Sequence, residues 1–378
     1  MLDDKLKALW ARISPPQKAA FFGCFLSGYL VHLYVFTNII PNSDGLSRIF
    51  DPQQMTVSGR WFLHFASYFN GFTQMPAVIG LFSVLFLALA AALAVSLLGI
   101  RSRALSALSG ALMAAFPAVG YTFLYLFTAS AYCFAIFLAV LSVSLARRGR
   151  WHWLAGCLLL ACSMGTYQAY VTVAIGLSLL VIFRETLDPS ASFSATLRLG
   201  VRLMLFLAAG AVLYYGILLV FLQVKDLELL SYLGMDAASS GYPFSRLPGL
   251  LLDTYKQVAA FFFLPGSANT FTSGWMAVLD LAALALGGGC FLLCMGQEGL
   301  WRARWRPLGG LAMLALLPLG INFGQILSPW SAPTPLMKYA FVLVYLAVVL
   351  LADRALPAAG AGASVLRRRA APCAALWL

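Results

Sequence analysis

The sequence predicts an all-α polytopic membrane protein of about ten transmembrane helices, and three observations carry that expectation. Hydrophobic residues fill 62% of the 378 positions and charged residues only 10%, where soluble domains carry about 25% charged residues; mean hydropathy is +0.87. Apolar runs near the roughly 20 residues that cross a bilayer recur along the whole chain, whereas barrel strands would read as alternating segments of about 10 residues. The cations are also segregated. With the N-terminus cytoplasmic, Lys5, Lys7, Arg12, Lys18, Arg101, Arg103, Arg147, Arg148, Arg150, Arg184, Arg198, Arg202, Arg302, Arg304, Arg306, Arg354 and Arg367 to Arg369 all fall inside. Only Arg48, Arg60, Lys225, Arg246, Lys256 and Lys338 fall outside. That bias sets the orientation, with both termini cytoplasmic, and it accounts for the net charge of +12 without nucleic acid.

The chain begins with Leu2, Leu6, Leu9, Trp10 and Ile13 at helical spacing around Lys5, Lys7 and Arg12. This reads as a short amphipathic helix on the inner surface, ended by Pro15 and Pro16. The first span runs from Phe21 to Ile40; it has no small-residue cleavage site and reads as an anchor. The first external loop, 41–75, holds Asp44, Arg48, Asp51 and Arg60 in a chain poor in charge. Asp51-Pro52 has the form of a helix N-cap. Trp61, Phe62, Phe65, Tyr68 and Phe69 then form an aromatic stripe, the mark of a helix lying in the interface plane.

Pro76 to Leu98 is the second span, and 104–146 holds an outward and inward pair turning around Tyr121 to Tyr132. Trp151 to Phe183 has basic flanks on both sides, so it must cross an even number of times. Two spans of about sixteen residues put Met164-Gly165-Thr166-Tyr167-Gln168 at an external turn. A polar turn near membrane depth is tolerated where it lines water or protein; functional lining and plain helix capping are both open readings. Arg198 to Val224 is the seventh span. The second large external loop, 225–273, is punctuated by Gly, Pro and Ser, then amphipathic from Leu250 to Phe263. Trp275 to Met295 is the eighth span and contains Asp280, an intramembrane carboxylate that marks either a site or an interhelical pair. Leu308 to Leu327 and Lys338 to Leu351 complete the set. Residues 1–354 therefore read as one membrane-embedded domain, and 355–378 as a disordered cytoplasmic tail.

The seven cysteines suggest buried free thiols rather than a framework or a metal site. No P-loop, G-x-S-x-G elbow, H-E-x-x-H or dinucleotide fingerprint occurs, which disfavours nucleotide substrates. The chemistry that remains suits a bilayer surface. Asp44, one turn beyond a membrane helix, can deprotonate a hydroxyl while Arg48 and Arg60 hold a phosphate. A transferase outside the membrane lacks nucleotide sugars and needs a lipid-borne donor; a polyprenyl phosphate sugar meets that need.

Three motifs in order then carry a resemblance: Asp44 beyond the first span, Gly59-Arg60-Trp61, and Gly165-Thr166-Tyr167-Gln168. Together they resemble the bacterial O-antigen glucosyltransferases of Gtr type II, within the GT-C class of membrane glycosyltransferases, over about residues 20 to 350. The resemblance implies a GT-C-like fold in the bacterial inner membrane with its active site on the periplasmic face. It implies transfer of a hexose, glucose above all, from undecaprenyl phosphate to an O-antigen or other surface glycan, with inversion. Asp44 matches the family's general base, Arg60 a phosphate or structural ligand, and Tyr167 with Gln168 the lining of the sugar pocket. Lys338 stands where the family tends to have a cation and is assigned to the donor phosphate with Arg48; Asp280 is assigned to the sugar or acceptor pocket. Many relatives carry two adjacent acids where this chain has Asn42-Ser43-Asp44. No cofactor is expected, and a divalent metal stays open. The alternative is a transporter or flippase for lipid-linked sugars. The lack of internal repeats and the gathering of polar groups on one face count against it.

Overall fold

The computed structural model describes residues 7, 10–40, 42, 44–45, 50–230, 244–266, 272–297, 299–329 and 333–356. Arg48, Cys373 and the expected tail beyond Leu356 lie outside these residues. The described chain is helical, and its only β contacts are two isolated bridges, Phe50 with Thr73 and Met55 with Arg60.

In order the helices are α1 (Pro15–Thr37), α2 (Leu63–Ala66), α3 (Pro76–Leu98), α4 (Arg103–Ala115), α5 (Pro117–Leu124), α6 (Leu126–Ala146) and α7 (Arg150–Thr166). They continue with α8 (Val171–Thr186), α9 (Phe193–Val224), α10 (Leu247–Phe263), α11 (Gly274–Gln297), α12 (Trp305–Ile321), α13 (Phe323–Leu327) and α14 (Val342–Ala355). Among the described residues, eight stretches are long and apolar enough to cross a membrane: α1, α3, α4 with α5, α6, 168–186, α9, α11 and 335–355. The other two expected spans fall on α7 and α12, at 17 residues each.

The first helix starts six residues before the expected Phe21, at Pro15. Prolines that end one helix can open the next, because the first helical N–H groups have no partner to lose. Ser14 supplies the cap: its Oγ accepts from the Gln17 N–H at 3.4 Å, and Gln17 Oε1 accepts from the Ser14 N–H at 2.9 Å. The loop after α1 departs further from expectation. Asp51 does not cap a helix; its Oδ1 accepts from the Gln53 N–H at 2.9 Å in a local turn, with Gln53 at φ 55°. An Asp side chain can make that turn as readily as a cap. The expected interfacial helix is likewise broken into a 3₁₀ turn (Thr56–Ser58), the single turn α2 and a second 3₁₀ turn (Ser67–Asn70). Left-handed glycines at 59 and 71 separate these pieces from what adjoins them. The aromatic stripe splits accordingly: Trp61 is buried, while Phe65, Tyr68 and Phe69 remain exposed.

Helices α3, α6, α8 and α14 form the buried centre, and α1 and α9 turn rows of apolar side chains outward, including Leu26, Leu30, Val212 and Val220. Several spans are interrupted at the end of the bundle that carries Asp44. Phe116 and Pro117 divide α4 from α5, Tyr167 precedes the 3₁₀ turn Gln168–Tyr170, Asn322 divides α12 from α13, and Pro335–Phe341 is 3₁₀ before α14 begins. Lys338 therefore lies in a tight turn and is buried.

The opposite end is tied by arginines that bind carbonyls. Arg306 is buried and donates to the carbonyls of Thr186, Asp188, Pro189 and Ala191, while Arg202 donates to those of Ala146 and Arg148. Cations at helix C-termini satisfy carbonyls left open there and complement the helix dipole. Arg147 pairs with Glu185 at 3.4 Å. The Asp353 carboxylate of α14 accepts the N–H groups of Arg101 and Ser102 at 2.9 and 2.8 Å. Part of the positive charge read from the sequence thus closes the helix ends.

Candidate active site

Two motifs separated by a hundred residues form one unit. Gly59-Arg60-Trp61 closes a small turn in which the Arg60 N–H bonds the Met55 carbonyl at 3.1 Å, with Gly59 at φ 78°. Gly165-Thr166-Tyr167-Gln168 ends α7. The Phe62 N–H donates to the Gly165 carbonyl at 2.7 Å. The Trp61 indole lies directly over Gly165, where a Cβ would come within 2.6 Å of the ring. On its other side the indole stacks on Phe221 of α9, with centroids 5.7 Å apart and planes 17° apart.

Gln168 completes the clasp. Its Nε2 donates to the Ser58 carbonyl at 2.8 Å and to the Tyr214 hydroxyl at 3.1 Å; that hydroxyl donates in turn to the Gly59 carbonyl at 3.1 Å. Arg60 is fixed by aromatics. Its guanidinium lies 4.8 Å from the Tyr167 ring centroid, and Nη1 donates to the Tyr132 hydroxyl at 3.1 Å. Tyr132 and Tyr167 stack at 4.7 Å, and Tyr170 closes the group edge-on at 5.3 Å from Tyr167. A planar cation over one phenol ring and bonded to the hydroxyl of the next is held by ring quadrupole and hydrogen bond together, which a lysine cannot reproduce.

Asp44 stands at the same end, in a turn pinned from two sides. The Gly45 N–H bonds Asn42 Oδ1 at 2.8 Å, and Gln74 Nε2 donates to the Gly45 carbonyl at 2.8 Å. A Cβ on Gly45 would lie 3.5 Å from Phe127, in the first turn of α6. Tyr132, which holds Arg60, is five residues further along α6, or about 7.5 Å at the helical rise. The Asp44 residue is exposed, and its carboxylate makes no hydrogen bond or ion pair among the described residues, so it does not touch Arg60.

Lys338 reaches the group from another direction. Its 3₁₀ turn packs against α5 and against the Gln168–Tyr170 turn, and Nζ lies 5.8 Å from the Phe261 ring centroid. Among the described residues Asp280 bonds to neither Tyr167 nor Gln168. It is buried on α11, where Oδ1 accepts from the Tyr345 hydroxyl of α14 at 2.8 Å, and Phe116 and Phe262 pack around that tyrosine. Among the described residues no group of three or more His, Cys, Asp or Glu gathers to hold a metal ion. Tyr132, Tyr214 and Phe221 were not marked as site residues by the sequence. The available signal was the phenol hydroxyls of Tyr132 and Tyr214 inside otherwise apolar spans, because buried phenols usually find a partner.

The fold and this clasp define a polytopic helical membrane protein with a polar, aromatic site at one end of its bundle. The chain belongs to the Glucosyl transferase GtrII family, whose model matches residues 33–351. That range contains Asp44, Arg60, Tyr167, Gln168, Asp280 and Lys338, and the family makes the chain a glycosyltransferase. No curated protein and no solved structure matches it.

Proposed function

We propose that the chain is a GT-C-type inverting transferase, with ten spans in the bacterial inner membrane. It moves a hexose, glucose in the first instance, from a polyprenyl phosphate to an O-antigen or related surface glycan outside that membrane. The observation that carries this reading is the clasp that fixes Arg60 against the Tyr167 ring and the Tyr132 hydroxyl, at the end of the bundle where Asp44 is exposed.

The step balances as a single displacement. An acceptor hydroxyl attacks the anomeric carbon and its proton passes to the Asp44 carboxylate. The new bond joins the acceptor oxygen to that carbon, with inversion, while the bond from the carbon to the phosphate oxygen breaks. The polyprenyl phosphate departs with both electrons. Its growing charge is met by Arg60 and Lys338, which is transition-state stabilisation by cations already in place; Arg48 joins them in this reading. Tyr167 and Gln168 fix the wall against which the sugar rests. Asp280, already engaged by Tyr345, contributes by holding α11 to α14 behind the site.

The test is incubation of the purified chain with a polyprenyl phosphate carrying radiolabelled glucose and a candidate surface glycan. Label should appear in the glycan and require Asp44. Movement of the lipid across liposomes with no glycan labelling would replace this reading by a flippase.

A further inference from the structure

Where α7 and α9 pack side by side at the arginine-rich end, a groove of about 550 Å³ opens between their first turns. Arg150 and Trp153 of α7 line one wall, and Leu197, Arg198, Val201, Arg202 and Leu205 of α9 the other. Leu197, Val201 and Leu205 recur every fourth residue, so they stack down a single face of α9, and all three are exposed. The Trp153 indole is tied across the groove, with Nε1 donating to the Arg202 carbonyl at 3.4 Å. The cations gather toward the helix starts. Arg150 opens α7, Arg198 Nε reaches back to the Ser194 carbonyl at 3.3 Å, and Arg202 reaches the carbonyls of Ala146 and Arg148, just before α7. Neither α7 nor α9 contains an Asp or Glu. Among the described residues none of these three arginines pairs with a carboxylate, and Arg150 and Arg198 are exposed with their terminal Nη groups unengaged. The nearest acids in the chain are taken up elsewhere: Glu185 pairs with Arg147, and Asp188 bonds Ser190 and acts on Arg184 and Arg354.

We infer that this groove seats one anionic phospholipid, its headgroup phosphate on Arg150 and Arg198 and an acyl chain along Leu197, Val201 and Leu205. Guanidinium forks match phosphate oxygens in geometry and charge, and basic pockets between membrane helices take anionic headgroups. The depth agrees. Helix α9 is 32 residues long, about 48 Å at the helical rise, against a hydrocarbon layer of about 30 Å. Its ends therefore stand among headgroups, and Arg198 and Arg202 fall in its first third. The leucine stripe from 197 to 205 covers about 12 Å, which carries the groove from the headgroup layer into hydrocarbon. A soluble anion would use the arginines and leave that stripe bare; a phospholipid covers both. The inference is independent of the transferase chemistry.

The experiment uses the full chain purified in neutral detergent. Native mass spectrometry compares retention of phosphatidylglycerol and phosphatidylcholine, and thermal unfolding is followed with inorganic phosphate against chloride at equal ionic strength. The expected result is preferential retention of phosphatidylglycerol, reduced at least about tenfold in a chain carrying both Arg150→Gln and Arg198→Gln, the scale of one charge-assisted hydrogen bond or more. Both side chains are exposed and the only bond lost lies within the first turns of α9, so lipid-free unfolding should not move. Arg103→Gln, at an exposed arginine of the same end but outside the groove, should leave the preference intact. Equal retention of the two lipids, a preference unchanged in the double variant, or an equal loss in Arg103→Gln would overturn the site. Stabilisation by inorganic phosphate that the double variant removes, with no preference between the lipids, would replace the phospholipid by a soluble anion.

Discussion

The Trp61 indole covers Gly165 so closely that a methyl group there would stand 2.6 Å from the ring. This contact locks the first long loop onto the end of α7. Gly165→Ala forces Trp61 off Phe221 and loosens the seat of Arg60. Overpacking of this kind costs about 1–3 kcal/mol. The expected outcome is a lower unfolding temperature in detergent together with weaker transfer; an unchanged unfolding temperature would separate the motif from the fold.

Asp44 separates chemistry from stability. Its carboxylate bonds to nothing among the described residues, so Asp44→Asn should leave thermal unfolding and membrane insertion as they are. Transfer should fall by about 10²–10⁴, the contribution of a general base. Full activity in the variant would remove Asp44 from the reaction.

Arg60→Lys keeps the charge and loses the planar group that Tyr132 and Tyr167 grip. Donor KM should rise about tenfold, the size of one charge-assisted hydrogen bond, with acceptor KM nearly constant. Equal changes in both constants would mark Arg60 as a support for the loop rather than a phosphate ligand.

Gln168→Ala strands the Ser58 carbonyl and removes a partner of the Tyr214 hydroxyl. Unpaired buried polar groups cost about 1–3 kcal/mol each. Unfolding should shift down, and proteolysis should reach the Met55–Arg60 turn sooner than in the unmodified chain.

Asp280→Asn can still accept from Tyr345, so both stability and transfer should persist. Asp280→Leu should lower the unfolding temperature. Loss of transfer in the asparagine variant, with folding intact, would return Asp280 to the sugar pocket.

Much of this architecture is legible in the sequence because bilayer-length runs and arginine asymmetry are strong, local signals. Both site motifs are visible too, yet their contact is not. Nothing in Gly59-Arg60-Trp61 says that its indole needs a residue lacking a side chain a hundred positions later. The loop itself misleads, since Asp51-Pro52 and the aromatic spacing suit a helix that the left-handed Gly59 and the Asp51 turn break apart. The helix starts at Pro15 and Phe193 also lie earlier than hydropathy suggests, because Ser14 and Ser192 cap polar first turns that an apolar window passes over. Lys338 reads as a surface cation at a helix start. It is buried because Pro335 opens a tighter turn that drives it inward against α5.

The interruptions at Phe116, Tyr167, Asn322 and Pro335 all fall toward one end of the molecule, and α5 and Gln168–Tyr170 both pack on Pro335–Phe341. Peptide groups released from a helix survive at membrane depth only against protein or water. Here the packing of the pieces themselves supplies the protein surface, with Tyr170, Tyr339 and Phe341 fully buried. For the proposed reaction between a lipid-linked sugar and a saccharide, these packed, non-helical turns would give the reactants a rigid protein wall at one end of the bundle.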